Sequence, residues 1–206
     1  MVYYIREIRM GKAEVTRKAI IRESAPIFNR KGYEGTSLAD LTAALGLTKG
    51  ALYGNFANKD EIALEALAFN FNRISEGIKD AMALHPNHCD KLATFARYYA
   101  DNYRDIAARG GCPVLNASTD SDDGNPAIRK KVRGLVDYWM TSLERIIERG
   151  KERGEIRKGV NAGEFGSLFI ALIEGGIMLS KITGERAHLD TAVSHIIDCI
   201  NGSVRA

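Results

Sequence analysis

Residues 32–61 of this chain read GYEGTSLADLTAALGLTKGALYGNFANKDE, and they constrain its fold more than any other stretch. Ser37 with Asp40 three residues on has the spacing of a helix N-terminal capping box. Leu38, Leu41, Thr42 and Leu45 follow at i, i+3, i+4 and i+7, one buried stripe of a helix. Gly46 ends it, because the left-handed residue that closes a helix is easiest for glycine. Thr48 can cap a second helix of about two turns, with Leu52 and Phe56 inward. Helix, tight turn with glycine, helix is the helix-turn-helix arrangement, whose second helix enters a DNA major groove. That second helix carries Gly50 and Gly54 opposite its apolar face, flanked by Ala51 and Tyr53. Each glycine costs a helix about 1 kcal/mol relative to alanine, so something approaches this backbone closely. Either DNA lies there or another helix of the same protein does. Lys49, Tyr53, Asn55 and Lys59 around the same face favour DNA, because these types bind phosphates and base edges.

The segment from about Lys12 to Glu65, above all GxxGTSLxDLTxALGLTKGALYGNFxxKDEI, resembles the DNA-binding segment of the tetracycline-repressor (TetR) family of bacterial regulators. The resemblance implies phosphate contacts from Thr36 and Ser37 at the start of the second helix. It implies further contacts from Thr48, Lys49, Gly50 and Tyr53 of the third helix and from Lys59 opening the fourth. With Ala51 and Asn55 from the same face, these residues form the expected DNA-binding set. The family usually has an aromatic residue and a histidine where this chain has Gly54 and Asn55, so the operator sequence does not carry over. The first helix should span about Ala13 to Lys31 with Ile21, Ala25 and Phe28 inward, kinked at Pro26. Tyr33 is expected to pack against it.

Charge is distributed to suit this reading. Residues 1–60 hold ten Lys and Arg against six Asp and Glu; the remaining residues hold 19 against 20. A positive end suits counterion release at phosphates, although an ordinary solvated surface could carry the same excess. The fold class expected is all-α, in about nine helices, because no stretch alternates with period two. Residues 1–58 form the DNA-binding domain and 59–206 a ligand-binding and dimerisation bundle. The opening MVYYIREIRM is too short and too charged for a signal peptide. The apolar run Leu168–Leu179 contains Glu174 and is too short to span a bilayer. Three cysteines without a CxxC pair fit a reducing cytoplasm and no zinc site.

Beyond Lys59, helices are expected over about Lys59–Leu84, Asp90–Arg109, Cys112–Asp120 and from Pro126 to about Gly150, with a polar loop at Asp120–Asn125. Two more follow, Phe165–Lys181 and one striped by Leu189, Val193, Ile196, Ile197 and Ile200. So apolar a pair is either enclosed in the monomer or buried against a second copy. In the family that it resembles, the last two helices pair with their counterparts in a homodimer. The expected interface is Phe165, Phe169, Leu172, Gly176, Leu189, Val193, Ile196, Ile197 and Ile200, and two-fold symmetry would match a palindromic DNA operator.

The resemblance further implies a small-molecule inducer pocket in the second domain, whose occupation moves the fourth helix and releases DNA. Candidate lining residues are Phe69, Tyr99, Tyr103, Cys112, Asn116, Trp139 and Glu174, each of which could equally be plain core. Cys112 follows two glycines at a helix start, where the dipole lowers a thiol pKa. GGCPVLN resembles the sixth-helix start of a TetR subgroup that includes thiol-based electrophile sensors. A thiol switch is therefore one alternative, a small corner residue the other. A helical thiol enzyme using Cys112 and a histidine has little behind it: His85, His88 and Cys89 surround Pro86 in an expected loop. The chain also lacks an ordered nucleophile triad, a phosphate-cradling loop and metal-ligand spacing. No catalytic residue, metal or cofactor is expected, and an activator remains as open as a repressor.

Overall fold

The computed structural model describes residues 11–121 and 124–206; the MVYYIREIRM stretch and the middle of the expected polar loop lie outside them. Ten α-helices run in order: α1 (Lys12–Lys31), α2 (Leu38–Leu45), α3 (Lys49–Tyr53), α4 (Lys59–Ala83) and α5 (His88–Asp101). They continue as α6 (Tyr103–Ala108), α7 (Pro113–Ser121), α8 (Pro126–Glu152), α9 (Ala162–Thr183) and α10 (Ala187–Cys199), and a π turn closes the chain at Ile200–Val204. The described residues form no named strand; a single antiparallel bridge joins Ile156 to Arg205.

Side-chain caps set most of the boundaries. Ser37 accepts from the Asp40 amide while the Asp40 carboxylate accepts from the Ser37 amide, so the capping box is complete. Gly46 closes α2 at φ 63°, and Thr48 caps α3. Asn58, Asn87, Asn125 and Asn161 cap α4, α5, α8 and α9. Their side-chain oxygens satisfy first-turn amides that would otherwise lack partners. The Asn161 cap starts α9 three residues before the expected Phe165.

Two expectations are corrected. The third helix is one turn, not two, because it stops at Gly54. The expected single helix over Asp90–Arg109 breaks at Asn102, whose side-chain amide donates to the Tyr98 carbonyl at 2.9 Å. Such local bonding competes with helix continuation. α1 is continuous from Lys12 to Lys31, with Pro26 inside it.

One core unites the helices. Leu41, Leu52 and Phe56 of the N-terminal segment pack with Ile20, Ala25 and Phe28 of α1 and Ile62 and Ala66 of α4. Leu92, Phe95 and Tyr99 of α5, Trp139, Leu143 and Ile147 of α8, and Phe169, Ile173 and Ile177 of α9 fill the larger bundle. α9 is 22 residues long and contains an 18-residue window of mean hydropathy 1.6, enough by length and composition to cross a membrane. It carries Glu174 at its middle and packs against α8 and α10, which places it within the folded bundle.

The α9–α10 contact depends on Gly176. A Cβ there would lie 3.0 Å from Leu189 Cα and 3.1 Å from Ala192 Cβ. Backbone cannot yield as a side-chain tip can, so Gly176→Val should destabilise the protein by about 1–3 kcal/mol through overpacking. Thermal melts should show a Tm lower by roughly 2–10 °C. Gly175 beside it meets nothing within 4 Å, and Gly175→Ala should leave Tm within about 2 °C in the same experiment.

Candidate functional site

The reading head is assembled around a nearly bare helix face. Thr48, Lys49, Gly50, Tyr53 and Gly54 are exposed, and Ala51 is half-buried. A Cβ on Gly50 would meet only Thr48 Oγ1, at 3.9 Å, and one on Gly54 would meet only carbonyls of its own helix. Among the described residues no other helix covers the two glycines, which weighs against the intramolecular explanation for them. Tyr53 is 46% exposed while Leu52 beside it is fully buried. α3 thus turns its aromatic ring and its lysine outward from a fixed apolar footing.

Two members of the expected DNA-binding set are corrected. Thr36 is fully buried, and its hydroxyl donates to the Gly32 carbonyl at 2.6 Å, so that it locks the turn into α2 and is turned away from the exposed face. The Asn55 side-chain amide donates to the Ala51 carbonyl at 2.9 Å, so it finishes α3 rather than facing bases. Ser37 is exposed, but its hydroxyl belongs to the capping box. Lys59 Nζ lies 4.1 Å from the centre of the Tyr33 ring.

Tyr33 does more than pack on α1. Its hydroxyl donates to the Asp60 carboxylate at the start of α4, and its amide donates to Asp120 of α7. Burial and that carboxylate push the Tyr33 hydroxyl up to about 12. Arg17 of α1 reaches Glu61 and Glu65 of α4 and the Asn55 carbonyl, with its guanidinium 4.1 Å from the Phe56 ring centre. The head is therefore clamped to α4 from two sides.

A second junction ties α1 to the bend before α7. Asn29 is buried, and its Nδ2 donates to the Arg109 and Gly111 carbonyls at 2.8 and 3.0 Å. Asn116 Nδ2 donates to the Asn29 carbonyl and to the Gly110 carbonyl at 2.9 and 2.8 Å. Lys181 of α9 also donates to the Gly110 carbonyl, at 2.6 Å.

Of the expected pocket residues, Tyr99, Trp139 and Glu174 meet around one narrow space of about 10 Å³ between α5, α8 and α9. Phe95, Phe169, Ile170 and Ile173, which the sequence reading did not place in a pocket, complete its lining. Cys112 bears on Glu174 from the start of α7. Phe69 and Tyr103 pack half-buried against the core and do not line this space, and Asn116 lines a separate seam between α1 and α7. An open groove between α4 and α8, about 780 Å³, carries Lys79, Lys130 and Lys131.

Cys112 is not a poised thiolate. The amides of Val114 and Leu115 draw its pKa down, as the helix start predicts, but burial and neighbouring Glu174 outweigh them and push it far up. At 1% exposure the thiol is shut off from solvent, which favours the small corner residue over the electrophile switch. Glu174 itself is pushed up to about 7 by burial, slightly eased by the Cys112 thiol. His88 and Cys89 both bond to Glu155, through His88 Nδ1 at 2.6 Å and Cys89 Sγ at 3.3 Å, fastening α5 to the α8–α9 connection.

Most of the residues expected at a dimer interface face inward. Phe169, Leu189, Val193, Ile196 and Ile200 are buried within one chain, and Gly176 is occupied by α10. Phe165, Leu172 and Ile197 are half-buried. The apolar residues that α9 leaves exposed are Leu168, Met178, Leu179 and Ile182.

Comparison with known proteins agrees with this architecture. The family profile described as "Bacterial regulatory proteins, tetR family" matches residues 20–66, and "Tetracyclin repressor-like, C-terminal domain" matches 89–196. A TetR transcriptional regulator from Chloroflexus aurantiacus superposes with a TM-score of 0.88 at 34% identity, covering 95% of this chain and 99% of that one. One from Cytophaga hutchinsonii gives 0.89 at 34%, covering 95% and 98%. The HTH-type transcriptional repressor DhaR of Mycobacterium sp. (strain GP1) is 22% identical over 89% of this chain and 91% of its own. The chain belongs to the TetR family. It is a helix-turn-helix transcriptional regulator that binds DNA.

Glu174 makes stability depend on pH. Its folded pKa of about 7 lies above the ordinary 4.5, so the folded state holds the proton more tightly. Its contribution is complete below about pH 4.5 and is lost as pH rises through 7, by up to about 3 kcal/mol. Glu174→Gln should therefore melt several degrees above the unsubstituted protein at about pH 8, with the gap closing by about pH 5. Melting curves across that range test it.

Proposed function

We propose that this protein is a homodimeric, cytoplasmic repressor of a palindromic operator, released when a small molecule enters the space between α5, α8 and α9. The observation that carries the DNA half of this reading is the uncovered face of α3. Five consecutive positions, Lys49 to Tyr53, include an exposed lysine, a side-chain-free Gly50 open on its outer side and an exposed tyrosine. A duplex backbone can press against such a face, and little else in a bacterial cell needs it. Thr48, Lys49, Gly50, Ala51, Tyr53 and Lys59 are the contacts retained, with Ser37 contributing through its exposed turn.

Two copies would meet through Leu168, Leu179 and Ile182 of α9, with half-buried Leu172 beside them. Four helices, two from each chain, would then align the heads for two half-sites.

The route from pocket to head passes through the bend at residues 109–112. Cys112 adjoins Glu174, Lys181 holds the Gly110 carbonyl, and Asn29 of α1 bonds to Arg109 and Gly111. A ligand that parts α5 from α9 shifts this bend and thereby α1, provided that it binds the displaced arrangement more tightly.

The test is a binding titration of the purified protein on its own upstream DNA against an unrelated fragment, over a range of salt. Gly50→Leu should keep its Tm and lose operator binding by at least roughly 100-fold, because the added side chain holds α3 off the groove. Normal binding by that variant would sink the reading. Lys49→Ala should weaken binding to both fragments alike and lower the salt slope by about one. An unchanged slope would take Lys49 out of the interface.

A further inference from the structure

Two buried polar groups face the same space without partners. Both carboxylate oxygens of Glu174 are shut off from solvent and, among the described residues, meet no N–H or O–H donor, only the weakly donating Cys112 thiol beside them; the hydroxyl of fully buried Tyr99 makes no hydrogen bond there either. A folded core gains nothing from such groups, since each gives up its water and receives nothing in return. The other walls are mainly aromatic. Phe95 lies 5.1 Å from Phe169 and 6.3 Å from Tyr99, and Tyr99 lies 6.5 Å from Trp139, centre to centre. No residue lining the space is basic, so a carboxylate or phosphate would meet a like charge with nothing to balance it.

What the lining lacks defines what it takes. Two oxygen acceptors call for N–H donors, a carboxylate calls for positive charge, and aromatic faces attract cations. We propose that this cavity binds a compact protonated amine. Its ammonium would sit between the Glu174 carboxylate and the Tyr99 hydroxyl, and its hydrocarbon part against Phe95, Trp139 and Phe169. The assignment rests on reading this space as the effector site. Size narrows the class further: only about 10 Å³ of the space admits the centre of a water molecule. That is close to the least that holds one water, so the ligand is small and enters by parting the walls.

A matched pair of probes tests the charge. tert-Butylammonium and tert-butanol share a shape and differ in ammonium against hydroxyl. Calorimetric titration of the full-length protein at about pH 8, with thermal shift alongside, should show the ammonium binding at least roughly tenfold more tightly than the alcohol. Glu174→Gln, which keeps the volume of the side chain, should abolish that preference. Tyr99→Phe should weaken the ammonium a few-fold without restoring the alcohol. Equal binding of the two probes, no binding of the ammonium, or a preference that survives in Glu174→Gln would each overturn the proposal. Ammonium binding that leaves operator affinity unchanged would keep the ligand class and overturn the effector reading of the cavity. Failure to bind any operator without the probe would count against the repressor reading alone.

Discussion

Asn29 is the side chain on which the two halves of the molecule are joined. It sits near the end of α1, inside the protein, and its amide is fully engaged with the bend that precedes α7. A buried amide with satisfied partners holds a single geometry, because any displacement leaves a donor or acceptor stranded. The bend accepts it only because Gly110 and Gly111 adopt φ values of 106° and 92°. A Cβ on Gly110 would stand 3.0 Å from the Asn29 carbonyl oxygen. The apolar face of α1, through Ile20, Ala25 and Phe28, seats it against α4, and the close approach of two backbones at this bend fixes its far end on the larger bundle.

The other connections reinforce that placement from the far side of the head. Arg17 and Tyr33 both end on carboxylates of the first turns of α4, at Glu61, Glu65 and Asp60. Acidic side chains there also suit the positive end of the helix. A head held at α4 by ion pairs and at the bend by neutral amides responds differently at its two attachments. Salt weakens the first and leaves the second largely untouched.

Local signals in the sequence were legible because local chemistry produces them. Ser37, Gly46 and Thr48 set their helix boundaries through bonds to residues three or four away, and all three act as their spacing predicts. Thr36 was misread because its role depends on a carbonyl made available only by the turn at Gly32. The interface residues on α9 and α10 were misread for a different reason. α9 is apolar on nearly all sides, so periodicity cannot separate the side facing its own bundle from the side left open. Gly175 and Gly176 show the difficulty at its sharpest, one facing empty space and its neighbour facing α10. Cys112 had the right helix-start surroundings, but burial, which a sequence does not display, dominates its acidity. Glu174 was recognisable as odd in an apolar helix; that its oxygens lack partners needed three helices in place.

The brevity of α3 reaches beyond DNA contact. Five residues with a glycine among them cannot hold a helix in water, since nucleation alone outweighs a single turn of bonds. Its shape is lent by Leu52 and Phe56, by the Thr48 cap and by the guanidinium of Arg17 on the Phe56 ring. The segment that reads sequence is thus owned by its neighbours. Transplanting Lys49–Tyr53 into a related regulator would carry the letters of the recognition surface without its angle to the groove. Exchange of specificity between such proteins has to move α1, α2 and the start of α4 together with it.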